Sequence, residues 1–363
     1  MLMRIENRQL VHILALFLLT QFGGLLLASL VFSSALPALA ASGGAPISST
    51  GQAITYFAAI LFFAILLLLV IRFYKGELVF KLLEAFTVVS TSFFFFTILL
   101  GSLFPALDFT TLGIICLALG IGVILTKNYR PSIKNIVVVI SSIGLGVVLG
   151  LSFGFGAAFL FMLLIAAYDY VAVFVTKHMV VFAKALSSRN LAFLVTASDI
   201  EVESKEALKR SEGKNFQKHY DEIRKIENPT IQKILKDGYV PVIAQIQLGA
   251  GDLGLPLMFA VSAYPVLSSY FLSVAIATGG AFGLVATMLF LRRYQRPLPA
   301  IPPIFAFICI ALGLALPFTR LSSAYLSLLL LALGVFIIYV VMFLTLKSGE
   351  AKDKAAKLVK AKR

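Results

Sequence analysis

Apolar stretches of about 20 residues recur along almost the entire chain, and nothing else in it limits the fold so strongly. A bilayer core of about 30 Å takes a helix of that length. Ten such spans can be counted, at roughly 11–34, 52–72, 80–104, 109–126, 134–152, 156–176, 241–265, 268–291, 299–317 and 322–346. Lipid offers no partners to backbone N–H and C=O groups, so only helices and closed barrels cross it. Barrel strands alternate apolar and polar residues over short segments; these stretches do not. With 60% hydrophobic and only 13% charged residues, the chain has too little polar surface for a soluble globule. The expectation is an all-α polytopic membrane protein.

Basic residues set the orientation. With the N-terminus cytoplasmic and alternation thereafter, the short inner segments hold Arg4 and Arg8; Arg72, Lys75 and Lys81; Lys127, Arg130 and Lys134; and Arg292, Arg293 and Arg296. The long connector and the C-terminal tail are also inside. Of the 31 Lys and Arg residues only Arg320 falls outside, the bias that marks a cytoplasmic face. The net charge of +14 is then explained without a nucleic-acid partner.

The chain divides accordingly into 1–176 with six spans, a cytoplasmic connector at 177–239, three spans in 240–317, a tenth helix in 318–346 and a basic tail at 347–363. The connector holds 12 basic and 9 acidic residues. It reads as an amphipathic continuation of the sixth helix, a strand-like run at 191–196 and a mixed-charge stretch at 201–236. The tail carries seven basic and two acidic residues and is expected against anionic lipid headgroups. Ala38-Leu39-Ala40 resembles a signal-cleavage site, but the apolar stretch 13–32 is longer than a signal core, so a retained helix is expected.

Against this background two acids stand out. Of 17 acidic residues, only Asp169 and Asp252 lie in the middle of apolar runs. A carboxylate at membrane depth is costly and marks function by default. Counted from the cytoplasmic face, Asp169 lies about seven residues deep, roughly 10 Å, and Asp252 about eleven residues deep. Their spans are consecutive, so the two can face one another. Carboxylates a few ångströms apart share a proton, making one a base and the other an acid. That state suits peptide hydrolysis: one takes a proton from water while the other donates to the carbonyl oxygen. Tyr168 offers a hydroxyl beside Asp169. Gly249 and Gly251 leave the backbone beside Asp252 open to close approach by a helix or an extended peptide.

Tyr168-Asp169 in one span and Gly249-Ala250-Gly251-Asp252 in the next, after a long cytoplasmic loop, resemble the intramembrane aspartyl proteases. That family contains the presenilins and signal peptide peptidases. The stretch from Tyr168 to Thr176-Lys177-His178-Met179 is most similar to archaeal presenilin-type members. The resemblance implies a presenilin-like bundle of nine core helices, with Asp169 and Asp252 catalytic and Tyr168, Gly249 and Gly251 supporting them. The run at 321–346 would be a tenth helix, a departure from the family's nine. A third family motif, Pro-Ala-Leu, opens the ninth helix. Its literal copies, Pro37-Ala38-Leu39 and Pro105-Ala106-Leu107, fall in outer loops, whereas Pro299-Ala300-Ile301-Pro302 enters the ninth span from the cytoplasm. The resemblance places Pro299, Ala300, Ile301 and Pro302 near the aspartates, holding substrate.

The function expected is intramembrane aspartyl endopeptidase, cutting transmembrane helices of other proteins with water entering from the cytoplasm and substrate entering laterally. No cofactor or metal is expected: His12, His178 and His219 lack ligand spacing, and Cys116 and Cys309 read as small core residues. The runs 191–196 and 240–247 are candidate strands for pairing with unwound substrate. Gln21 is expected to contact a neighbouring helix, and Glu77, Lys81 and Glu84 to pair on one helix face. Two rivals remain open, a proton- or cation-coupled transporter using the paired acids and a silent helix-binding scaffold. Oligomeric state is not legible in the sequence.

Overall fold

The structure, a computed structural model, describes residues 7–34, 78–176, 194–206, 216–224, 235–267, 270–294, 298–319 and 323–361, with isolated positions in 51–62 and at 232. The second expected span, 52–72, therefore lies almost wholly outside the described residues, as do Pro37-Ala38-Leu39, His178 and Arg320. Eight of the described helices are long and apolar enough to cross a membrane.

The first five membrane helices are α1 (Asn7–Ser34), α2 (Leu78–Leu103), α3 (Phe109–Tyr129), α4 (Lys134–Ser152) and α5 (Phe155–Tyr170). Local chemistry punctuates them. Asp108 caps α3, accepting the Thr111 N–H at 2.9 Å. Hydrogen bonds from the Thr111 hydroxyl and amide hold this exposed carboxyl below its ordinary range. Pro131 opens the short turn Pro131–Ile133 ahead of α4, and Gly154 caps α5. Helix α5 does not end regularly: Val171–Val175 form a π-helical turn.

A soluble segment follows: strand β1 (Leu194–Ser204), helix α6 (Phe216–Arg224) and strand β2 (Tyr239–Gly249). After it come α7 (Ala250–Ser262), a short turn Tyr264–Leu267, α8 (Tyr270–Tyr294), α9 (Ile301–Ala315) and α10 (Ala324–Ala361). The run 241–265 was counted as one span, with 240–247 also a candidate strand, and the structure forms the strand. Its first part is strand β2, and α7 has only 13 residues, about 20 Å of helix. β-Branched Val240, Val242, Ile243 and Ile246 favour the strand, and hydropathy alone does not separate a buried strand from a buried helix. The helical depth counted for Asp252 therefore does not apply.

The chain forms two units. The smaller comprises 196–247 with the start of α1. In it β1 and β2 pair as a two-stranded sheet, and Ile223 of α6 packs on Val240 of β2 with Tyr220 and Leu235 beside them. Gly238, at φ 80°, makes the turn into β2, a backbone that favours glycine. Its carbonyl accepts the Lys205 N–H at 3.0 Å.

The larger unit, 14–195 and 248–363, is the helical bundle. Its interior helices are α4, α7 and α9, while α2 and α3 are peripheral: 67% of the α9 span is buried against 17% for α2 or α3. Close backbone approach orders the interior. A Cβ on Gly146 of α4 would fall 2.8 Å from the Gly254 carbonyl of α7, and one on Gly283 of α8 would fall 2.5 Å from Ile304 Cα of α9. Glycine at such seams lets helices pack without a hydrophobic driving force. The tenth helix packs on α9, where a Cβ on Gly313 would meet the Ser327 carbonyl at 2.8 Å. Its helical backbone continues through the basic tail to Ala361.

Candidate active site

Asp169 lies one residue before the end of α5, half-buried. Its Oδ2 accepts the backbone N–H of Ile301 at 3.2 Å, from a residue 132 positions away. The Ala300 amide is also directed at this carboxylate. The bond follows from how α9 begins. The first turn of any helix has N–H groups without internal partners. In α9 two of these positions are Pro302 and Pro303, which have no N–H, and Ile304 donates to the Ala300 carbonyl at 3.3 Å. The Ile301 N–H remains, and Asp169 takes it. The positive end of the α9 dipole favours a carboxylate there.

Asp252 is the third residue of α7 and is half-buried. Its Oδ2 accepts the Gly249 N–H at 3.2 Å, so it caps its own helix. A Cβ on Gly249 would sit 3.1 Å from that oxygen, closer than carbon and oxygen ordinarily come. Glycine thus lets the carboxylate fold back on the strand end. Gly251 is different: a Cβ there would meet nothing within 4 Å among the described residues. The Asp169 and Asp252 carboxylates lie close enough to feel each other's charge, as does the Tyr168 hydroxyl with Asp169.

Aromatic rings lock the three site helices together. Phe159 of α5 meets Phe259 of α7 at 6.0 Å and Phe305 of α9 at 5.4 Å between ring centres, and Phe155 stacks on Phe259 at 5.2 Å. The π-turn starts two residues after Asp169. Such bulges are frequent at functional sites. Among the described residues no group of His, Cys, Asp and Glu side chains is arranged to hold a metal ion.

The signal-peptide peptidase and presenilin aspartyl protease family model matches residues 14–321. The chain belongs to this family. It is an integral, multi-pass membrane protein and an aspartic-type intramembrane endopeptidase, a family whose substrates are transmembrane proteins. Two crystal forms, C222 and P2, of a presenilin family intramembrane aspartate protease share its fold. They match at TM-scores of 0.54 and 0.52 and identities of 17% and 18%. The matches cover 85% and 84% of this chain, and 99% and 97% of those chains. No curated protein matches. The family match ends before α10 begins at Ala324.

Several residues singled out in the sequence meet in this protease fold. Asp169, Ala300 and Ile301 come together, with Asp252 in electrostatic reach and Gly249 beneath it. Pro299 is buried, and Pro302 lies in the first turn of α9. The sequence reading missed one partnership: Glu84 pairs with Lys127 of α3 at 2.6 Å, rather than only along its own helix. Gln21 of α1 contacts a neighbouring helix as expected, at the α7 backbone. Lys127 had counted as a loop residue of the basic inner face. Its interval of 43 positions from Glu84 carries no local signal.

Proposed function

We propose that Asp169 and Asp252 are the catalytic pair and that they hydrolyse peptide bonds within transmembrane helices. The observation that carries this reading is the Ile301 N–H···Asp169 bond with Asp252 in electrostatic reach. It joins the carboxylates and the Pro299-Ala300-Ile301-Pro302 segment in one site. The two acids share one proton, since ionising both in a low dielectric is expensive. The ionised carboxylate takes a proton from a water, and that water's oxygen bonds to the scissile carbonyl carbon. The protonated carboxyl gives its proton to the carbonyl oxygen, producing a gem-diol. The amine nitrogen takes up the proton now held by the pair, a gem-diol hydroxyl returns its proton to the other carboxylate, and the C–N bond breaks to release an amine and a carboxylic acid. The roles of base and acid belong to the pair.

Substrate must be unwound before attack. The open space at Gly251 among the described residues suits an extended backbone, and β2 can accept a further strand on the edge not paired with β1. Pro299 and Ala300 line the substrate path, and the Tyr168 hydroxyl supports the pair. The short basic loops favour a cytoplasmic N-terminus, with 177–239 on the same side and the basic tail against anionic headgroups.

The test is cleavage of a helical transmembrane substrate in liposomes by wild type, Asp169→Ala and Asp252→Ala. Both variants should be inactive. Cleavage by either sinks the proposal, and ion flux without cleavage would favour a transporter.

A further inference from the structure

Gln21 of α1 is completely buried. Its Nε2 donates to the main-chain carbonyl of Leu253 at 2.9 Å, across 232 residues of sequence. Leu253 immediately follows Asp252. The Gln21 Oε1 is buried and has no hydrogen-bond partner among the described residues. A half-satisfied amide in apolar surroundings is costly, and Leu or Met would pack there without that cost. The glutamine is therefore best explained by the bond it makes.

That bond reaches α7 where the helix is least able to hold itself. Pro256 has no N–H, so the Asp252 carbonyl lacks the i+4 donor of a regular helix. Neighbouring helices add lateral donors to the carbonyls of residues close to it in the same turn. Ser142 Oγ of α4 donates to the Ala250 carbonyl at 3.2 Å, and Gln21 donates to that of Leu253. Glycines make the reach possible: a Cβ on Gly24 would collide with the Leu257 side chain, and one on Gly146 would press on the Gly254 carbonyl. Helices α1 and α4 thus both hold the first two turns of α7.

We propose that Gln21 is a positioning residue for Asp252: its amide fixes the rotation of the first turn of α7, and through it the aim of the carboxylate. The proposal rests on the reading of Asp169 and Asp252 as the catalytic pair. It assigns a chemical task to a residue of α1, which carries neither acid.

The test uses the full chain in liposomes with a transmembrane-helix substrate, comparing Gln21→Met, Gln21→Glu, Asp252→Ala and wild type. Gln21→Met keeps the length and loses the donor. It should lower kcat by about 10- to 100-fold, the scale of a small misplacement of a catalytic group. KM should hold, the melting temperature should not fall, and the pH profile of kcat should shift. Gln21→Glu donates only while protonated, so it should work on the acid side and fail as pH rises. Wild-type kcat and pH profile in Gln21→Met would overturn the inference. So would activity lost in proportion to folded protein with no acid-side rescue in Gln21→Glu. Cleavage by Asp252→Ala would instead remove the catalytic-pair reading itself.

Discussion

Replacing Glu84 by Gln should damage this protein far more than replacing its partner, Lys127, by Met. The two side chains are 3% and 4% exposed and meet at 2.6 Å, one on α2 and the other on α3. At 2.6 Å and an effective dielectric of about 20, their attraction is about 6 kcal/mol. Desolvation of both ions offsets most of this, so the intact pair adds little net stability. Removing one member is another matter, because the other stays buried and uncompensated, at about 3–5 kcal/mol. Lys134 breaks the symmetry. It is near enough to feel the charges of both Lys127 and Glu84. Glu84→Gln leaves two ammonium groups within reach of each other's charge, whereas Lys127→Met leaves Glu84 with Lys134 in electrostatic reach. The order of stability should be wild type, then Lys127→Met, then Glu84→Gln, and Glu84→Met with Lys127→Met should return close to wild type.

The chain has no tryptophan but has two free buried cysteines, Cys116 and Cys309. A thiol-reactive fluorophore therefore reports its unfolding in detergent, with Cys116 on the same helix as Lys127. Glu84→Gln should melt on the order of 10 °C lower than wild type. Equal melting temperatures for the two single variants would refute the role given to Lys134. A shift of a degree or less in Glu84→Gln would refute burial of the pair.

Two further substitutions test the packing. Gly249→Ala puts a methyl group against Asp252 Oδ2, where only 3.1 Å is available, while Gly251→Ala meets nothing within 4 Å. Single-turnover cleavage should therefore fall by about 10- to 100-fold in Gly249→Ala, and Gly251→Ala should change KM alone. Gly334→Leu would drive a side chain into the Ala306 carbonyl, 2.6 Å from an added Cβ, and separate α10 from α9. Its melting temperature should drop, whereas Gly113→Ala on α3, with nothing within 4 Å, should melt like wild type.

Much of this protein is legible in one dimension. Burying apolar surface is an additive property of short windows, so the membrane class and most spans follow from hydropathy. A charged group in lipid is conspicuous for the same reason, and Asp169 and Asp252 identify themselves. The residue types around them announce chemistry as well: a glycine run entering one acid, and prolines where a helix should start.

What only the tertiary structure decided is which way each helix faces. In a membrane the lipid side and the protein side of a helix are both apolar, so the pattern that orients soluble helices is weak. Which donor meets which acceptor depends on that rotation. Asp169 meeting Ile301, Lys127 meeting Glu84 and Gln21 meeting Leu253 are such pairings, separated by 132, 43 and 232 positions. The start of the seventh span was ambiguous for a related reason, since a short apolar run suits a buried strand or a buried helix equally. The candidate strand at 240–247 was decided by its pairing with β1. Transfer from water is local and can be read along the chain; directional hydrogen bonds between distant segments exist only once the bundle is assembled.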